Sequence, residues 1–174
     1  YLKIIAQRDR THTAQAFSEM MQEIGIALKI TVCQGMEQTS DVQNAYSLVN
    51  EYKNAANAIY ANKSIYSLQE FDFAAKCVEI VGRGELAIAE QMKPLKPLEE
   101  NAELIETLSV FLLEGESNYN QAADILFLHK NTIKYRIQRI NELLQYPATK
   151  IPESYNLYLA VAIRRLLGET NNNK

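Results

Sequence analysis

The side chains best suited to chemistry lie in one short basic segment, residues 125–141. This segment contains no acidic residue, although the whole chain carries 21 acids against 18 bases and a formal charge of -3. Its basic residues are Lys130, Lys134, Arg136 and Arg139. A solvated helix face usually mixes both signs of charge, so a one-sided run in an acidic chain indicates an anionic partner. Nucleic-acid phosphate is the commonest such partner, and the segment therefore predicts a DNA-binding surface.

The same segment has the spacing of an amphipathic helix. Steps of about 100° per residue bring Ile133, Ile137, Ile140 and Leu144 into one narrow arc, which predicts the buried side of a helix over about 130–144. An α-helix fits the major groove of DNA, where amide and basic side chains can bond nucleobase edges and hydroxyl groups can hold phosphate oxygens. The candidates on the exposed side are Asn131, Tyr135 and Gln138 opposite the stripe, Thr132 and Arg139 on one shoulder, and Lys130 and Lys134 on the other.

A shorter helical pattern precedes the basic helix, and the tight break 127–129 separates the two. The first pattern covers about 120–126, where Asn118 or Asn120 can cap it. Two short helices joined in this way predict a helix-turn-helix with the basic helix as the recognition helix. His129 then stands at the start of that helix, where it could reach base edges, although an isolated histidine is more often a cap or a packing residue.

Two alternatives stand beside this interpretation. The basic run could be an ordinary surface helix whose basic residues happen to lack acidic neighbours. On charge alone, a surface helix and a DNA-binding helix are equally good interpretations. The predicted pair of helices favours the DNA-binding interpretation. The chain could also be a protein-interaction or effector-binding module in which the helix pair serves packing. We favour a DNA-binding regulator that contacts double-stranded operator DNA.

Two regions of different periodicity make up the chain, and a segment with two prolines, 92–98, separates them. Before it, strand patterns alternate with helical ones, which predicts a small α/β unit with few strands. The strand patterns lie at 2–6, 27–33 and 65–68, and the helical ones at 13–23, 42–61 and 71–81. After it, every pattern is helical. We expect an α+β chain with an α/β domain at 1–93, an all-α domain with the helix-turn-helix at 98–168 and a disordered tail at 169–174.

The helices predicted for the second region differ in how much of their surface is apolar. The first has one apolar stripe that includes Leu108 and Phe111, and Gly115 is suited to end it with a left-handed cap. The last opens at Pro152-Glu153 and is apolar nearly all round between Tyr155 and Leu167. We expect part of that helix to cover the basic unit and part to contact another subunit. A homodimer or higher oligomer is also a geometric expectation, since two recognition helices meet half-sites about 34 Å apart.

Composition narrows the class of protein. A chain of 174 residues with 47% hydrophobic and 22% charged residues suits a globular protein that buries a core. No apolar run approaches the roughly 18 residues that cross a bilayer, and the start lacks the pattern of a signal peptide. We therefore expect a cytoplasmic protein with no membrane partner. Because the chain begins at Tyr1 inside a strand pattern, we also expect it to be a fragment of a longer protein.

The sequence offers little for catalysis. His12 and His129 are the two histidines, and neither lies near a serine or cysteine in a recognisable nucleophile motif. Cys33 and Cys77 show no metal-ligand spacing, and we expect reduced core thiols. The glycines at 82 and 84 are too few for a phosphate cradle and predict a helix-ending turn. We predict no catalytic residue, no cofactor and no metal site.

The segment 123–139, with the core LHKNTIKYRI, closely resembles the C-terminal helix-turn-helix of the PucR/CdaR family of bacterial transcription regulators. In that family the recognition helix is marked by a run of the form His-basic-Asn-Thr, an apolar residue, one further residue and Tyr-Arg. Residues 129–136 of this chain fill that run. A preceding Glu-Thr-Leu, here Glu106-Thr107-Leu108, belongs to the same family pattern.

The resemblance extends upstream, where the order of strands and helices looks like the GGDEF-like domain often found before this helix-turn-helix. It implies a cytoplasmic DNA-binding regulator whose effector ligand is bound by a region further towards the amino terminus. This chain departs from working cyclases, because their Gly-Gly-Asp-Glu-Phe signature does not occur and residues 82–85 do not replace it. Without paired acids to hold metal and nucleotide triphosphate, the degenerate GGDEF-like domain at 1–93 is expected to be non-catalytic.

Overall fold

The computed structural model describes residues 10–172, and within this range the fold is mostly helical with one small sheet. The strand predicted at 2–6 lies outside the described residues. The predicted order, a few strands first and helices alone in the second half, is confirmed for the described part of the chain. The elements are α1 (Arg10–Glu23), β1 (Ile30–Val32), α2 (Thr39–Ile59), β2 (Ile65–Ser67), α3 (Leu68–Gly82), α4 (Glu85–Met92), a 3-10 helix (Lys93–Leu98), α5 (Ala102–Leu113), α6 (Tyr119–Leu126), α7 (Lys130–Leu144) and α8 (Glu153–Asn172).

The two strands form a minimal parallel sheet, with Ile30 paired to Ile65. Parallel neighbours need a crossover connection, which α2 supplies. α2 begins where the carboxylate of Asp41 accepts hydrogen bonds from the backbone N–H groups of Gln38 and Glu37, each 2.9 Å long. These bonds favour the ionised form, so they hold the pKa of Asp41 below its usual value. The strands predicted at 27–33 and 65–68 are confirmed in place, although each is only three residues long.

The proline segment is part of the core. The helix α4 ends at Met92, and the next six residues form the 3-10 helix. Leu95 and Leu98 of that helix are fully buried. They belong to one continuous apolar cluster that extends from Ala56 in α2 to Ile163 in α8. The two predicted units therefore meet without a gap between their cores.

α8 is the central helix of the described structure. It packs against α2, α3 and α4 on one side and against α5 and the 3-10 helix on the other. Its residues Leu157, Val161 and Ile163 have no exposed surface. Most of the apolar surface of this helix is therefore covered by the described chain itself, whereas Tyr155 is 55% exposed and the predicted contact with another subunit stays a prediction. The helix also continues to Asn172, further than the disordered tail predicted from 169 allows, and the last two residues lie outside the described range.

A buried charge cluster links the two halves. The Arg165 guanidinium lies 2.9 Å from Glu114 Oε1 and also donates a 2.9 Å hydrogen bond to the carbonyl oxygen of Ile59. The Glu114 carboxylate accepts two further bonds from Asn62, from the backbone N–H at 2.8 Å and from Nδ2 at 3.2 Å. Glu106 lies 3.3 Å from Arg165 at the more exposed end. The side chains of Glu114, directly after α5, and Arg165 in α8 thus satisfy backbone groups at and just after the end of α2.

Gly115 is required by close packing rather than by its backbone angles, so the prediction of a left-handed cap at this position is wrong. The residues in the left-handed region are Glu116, with a φ of 49°, and Ser117, with a φ of 59°. A Cβ on Gly115 would lie 3.2 Å from the carbonyl oxygen of Val110 and 3.3 Å from the backbone nitrogen of Ala122. A larger residue here would require α6 or the end of α5 to shift by a few tenths of an ångström.

Cys77 is fully buried, and burial raises the pKa of its thiol to about 12. The thiol therefore stays protonated near neutral pH, which agrees with the expectation of a reduced core thiol. Cys33 is half-buried, and burial raises its pKa as well. Between residues 10 and 172, no helix combines the length and the apolar content that a bilayer crossing requires.

Candidate nucleic-acid interface

α6 and α7 form the helix pair predicted from the sequence, and both pack against α5. α6 is capped by Asn118, whose side-chain oxygen accepts hydrogen bonds from the backbone N–H groups of Asn120, at 2.8 Å, and Gln121, at 3.4 Å. The cap satisfies two donors that the first turn of a helix leaves without partners. Of the two predicted caps, Asn118 is the one that the structure uses.

The turn between the helices is short, as predicted. Phe127 adopts the left-handed region, with a φ of 52° and a ψ of 40°. This conformation ends α6 and lets the backbone N–H of Leu128 bond the carbonyl oxygen of Ala123 at 3.0 Å. Leu128 packs against the core, whereas Phe127 faces solvent. The chain then enters α7 at Lys130.

The buried side of α7 agrees with the predicted stripe: Ile133, Ile137, Ile140 and Leu144 all lie in the core. Apolar residues at these spacings share one face of a helix, and burying that face against α5 and α6 stabilises α7 in one orientation. The polar residues of the helix are consequently directed away from the core.

The exposed side of α7 presents Lys130, Asn131, Lys134 and Tyr135. Their side chains have no hydrogen-bond or ion-pair partner among the described residues, and 69% of Tyr135 is accessible. Thr132 is half-buried. Because these groups have no partner within the described part of the chain, a ligand can bind them without first breaking contacts inside the protein.

Gln138 and Arg139 are also exposed, and both contact Glu142. Arg139 lies 3.0 Å from one carboxylate oxygen of Glu142, and Gln138 Nε2 donates a 3.4 Å hydrogen bond to the other. Exposed pairs three or four residues apart on a helix contribute little to stability. Either side chain can therefore leave Glu142 for an anionic ligand at small cost.

His129 is the N-cap of α7. Its Nδ1 accepts a 3.2 Å hydrogen bond from the backbone N–H of Asn131, so the imidazole has the capping role raised as an alternative to DNA contact. An accepting Nδ1 places the proton of the neutral ring on Nε2. That nitrogen is available as a donor at the end of α7 where the helix dipole is positive.

Arg136 does not share the exposed position of the other predicted DNA contacts. Its Nη1 donates a 3.1 Å hydrogen bond to Thr107 Oγ1, and its Nη2 lies 3.0 Å from Glu103 Oε1. Only 18% of its side chain is exposed. The guanidinium therefore links α7 to α5, so Arg136 is mostly withdrawn from the exposed face that was predicted to contact DNA. Thr107, from the Glu-Thr-Leu motif, has a structural role in this link.

We expect Arg136→Met to lower the free energy of unfolding by about 1 to 2 kcal/mol, because it removes a charge-assisted hydrogen bond and a half-buried ion pair. Arg139→Met removes the same charge from the exposed face of the same helix and should cost less than about 0.5 kcal/mol. Urea unfolding followed by circular dichroism measures both values. Equal losses in the two variants would show that the contacts between Arg136 and α5 add nothing.

Comparison with known proteins finds a family match in this part of the chain. Residues 104–163, from α5 to the middle of α8, match the model of the PucR C-terminal helix-turn-helix domain. No solved structure matches the chain significantly.

Three curated relatives match part of the chain. The DNA-binding transcriptional activator AdeR of Bacillus subtilis (strain 168) is 29% identical over 68 residues, which are 39% of this chain and 16% of AdeR. The proline-responsive transcriptional activator PutR of the same organism is 33% identical over 70 residues, 40% of this chain and 17% of PutR. An uncharacterised protein of Haemophilus influenzae is 38% identical over 76 residues, 42% of this chain and 20% of that protein. The match thus spans at most a fifth of each relative. Residues 104–163, from α5 to the middle of α8, are therefore similar to the PucR C-terminal helix-turn-helix domains.

Proposed function

We propose that this chain is the DNA-binding part of a transcriptional regulator and that α7 is its recognition helix in the DNA major groove. The observation that carries the proposal is the exposed face of α7, which presents Lys130, Asn131 and Lys134 without partners among the described residues. No acid lies on α7 before Glu142, and the positive end of the helix dipole adds to the attraction for phosphate. The PucR domain match and the names of AdeR and PutR support the same function.

The proposed contacts divide by chemistry. Amide groups can bond adenine edges, and lysine or arginine can bond guanine edges or phosphate. Hydroxyl groups and the Nε2–H of a capping histidine can hold phosphate oxygens. The proposed contacts to adenine come from the amide side chains of Asn131 and Gln138. Those to guanine or phosphate come from the basic side chains of Lys130, Lys134 and Arg139. Those to phosphate alone come from His129, Thr132 and Tyr135.

The proposal extends to the remainder of the protein. Two copies, as a homodimer or within a higher oligomer, would present two recognition helices to the half-sites of an operator. We assign residues 1–93 to a degenerate, non-catalytic GGDEF-like domain, an assignment supported by the parallel β1-α2-β2 unit. The effector ligand would bind a region outside this chain. A regulator of this kind acts where the bacterial chromosome is, in the cytoplasm.

One observation favours the alternative of an effector-binding module. A cavity of about 810 Å³ lies between the carboxyl ends of the two strands and the turn that joins α5 to α6. Ligands of α/β proteins commonly bind beyond the carboxyl ends of parallel strands. Polar side chains in the wall include Gln34, Gln69, Gln121, Tyr66 and Tyr158. A small polar ligand there would leave the exposed face of α7 accessible, so the DNA experiment below tests the DNA-binding proposal independently of this cavity.

Fluorescence-anisotropy titration tests the proposal. The chain is titrated against a labelled duplex from the DNA upstream of its own gene and against a scrambled duplex, each at two salt concentrations. We expect tighter binding to the upstream DNA and a fall of log affinity with log salt of about 0.9 per neutralised phosphate. Equal weak binding to both duplexes would leave only a generic basic surface. No binding by a folded dimer would favour the effector-binding module.

A further inference from the structure

Phe127, in the turn between α6 and α7, is the most exposed large apolar side chain in the described part of the chain, at 95% accessible surface. Its neighbour Leu128 packs against the core. The turn has thus buried one of its two apolar residues and left the larger one entirely in water. Packing within the described fold gives no reason for a phenyl ring at this position.

The backbone conformation of Phe127 also makes phenylalanine an unfavourable residue for stability at this position. Its φ of 52° lies in the left-handed region, which glycine adopts without strain and which a bulky side chain rarely adopts. On stability alone, glycine or asparagine would be preferred here. The left-handed conformation ends α6, so the fold explains the backbone at this position but not the phenyl ring.

The position of Phe127 points to the function. It lies two residues before the N-cap His129, so its Cα is within about 7 Å of the Cα of that histidine. Phe127 therefore lies next to the end of α7 that carries Lys130 and Asn131, where a recognition helix brings its first residues to base edges. The run without acids that begins at residue 125 favours DNA over an apolar protein partner as the ligand.

We propose that Phe127 contacts the DNA directly and that its ring packs on the 5-methyl group of a thymine in the major groove. This inference rests on the proposed function and adds a residue and a base preference to it. Thymine is distinguished in that groove by its methyl group, which apolar side chains read. Phe127 would supply an apolar contact beside the polar ones of α7.

The decisive variant is Phe127→Gly, which removes the ring and relieves the left-handed strain. We expect its urea midpoint to equal or exceed that of the unaltered chain, while its affinity for the upstream duplex falls about tenfold, as when roughly half of a phenyl group loses its burial. Phe127→Asn, which also tolerates this conformation, should behave likewise. Leu86→Ala is the control, because Leu86 is 90% exposed but lies in α4; its DNA affinity should be unchanged.

A second measurement tests the base preference. Duplexes in which uracil replaces thymine lack the methyl group and are otherwise unchanged. At one position of the site, this replacement should weaken binding by the unaltered chain severalfold and leave binding by Phe127→Gly unaffected.

Several outcomes would overturn the inference. If the unaltered chain binds the upstream DNA and Phe127→Gly binds it equally well, Phe127 is not a contact and the proposed function stands. The same conclusion follows if the loss of affinity accompanies loss of a dimer in analytical ultracentrifugation, or if uracil affects both proteins equally. Absence of DNA binding by the unaltered, folded chain would overturn the proposed function together with the inference.

Discussion

Replacing Arg165 by methionine should lower the free energy of unfolding by about 3 kcal/mol. Arg165 is the cation closest to the Glu114 carboxylate, whose side chain is only 2% exposed. Removing one partner of a buried ion pair typically costs about 3 to 5 kcal/mol, because the remaining charge stays buried without compensation. The lower end applies here, since Asn62 would still donate two hydrogen bonds to Glu114.

The adjacent residue supplies a matched control. Arg164 carries the same side chain on the same helix and is exposed, so Arg164→Met should change the free energy of unfolding by less than about 0.5 kcal/mol. Both values come from urea denaturation of the whole chain at neutral pH. If the two variants proved equally stable, the cluster of Arg165, Glu114 and Asn62 would have no energetic role.

The second large effect concerns DNA. We expect the double variant Lys130→Gln, Lys134→Gln to weaken binding to the upstream duplex by roughly one to two orders of magnitude at low salt. Both side chains lie on the exposed face of α7 without a partner among the described residues, so their positive charge is available to phosphate. If each lysine neutralises one phosphate, the slope of log affinity against log salt should decrease by about 1.8.

The matched control removes the same charge elsewhere. Lys53 in α2 and Lys76 in α3 are exposed lysines, and Lys53→Gln, Lys76→Gln changes the net charge equally. We expect this protein to bind DNA almost as the unaltered chain does, apart from a small long-range effect. If both double variants lost DNA affinity equally, the lysines of α7 would contribute no more to DNA binding than lysines elsewhere on the surface.

Most of the prediction of the candidate interface depended on helical periodicity. The stripe of Ile133, Ile137 and Ile140 predicted the buried side of α7, and the bounds 130–144 agree with the helix. Local chemistry was also sufficient for the cap at Asn118, because a capping side chain bonds backbone groups only two or three residues away. Features that depend on residues close in sequence could therefore be predicted from the sequence.

Features that depend on contacts between residues far apart in sequence could not be predicted from the sequence. Arg136 and Lys130 each stand about 60° from Ile133 on a helical wheel, on opposite sides of the stripe, so periodicity treats them alike. Only the position of α5, with Glu103 and Thr107, makes Arg136 a structural residue and leaves Lys130 exposed. The pairing of Glu114 with Arg165 spans 51 positions and likewise leaves no local pattern.

The covering of α8 also depends on residues far apart in sequence. An all-round apolar surface indicates burial on several sides, but the pattern does not identify the covering elements. In the described structure, α2, α3, α4 and α5 cover most of it.

Because α8 is packed between the two halves, α7 cannot swing on a hinge at the proline segment without opening the shared core. The proposed recognition helix is therefore packed on the same body as α8 and would move with it. In an assembly of two such chains, the distance between the two α7 helices would depend on how the whole bodies are joined. A signal that turned one body against the other would change which half-site spacing the pair could bind, while leaving the exposed face of each α7 intact.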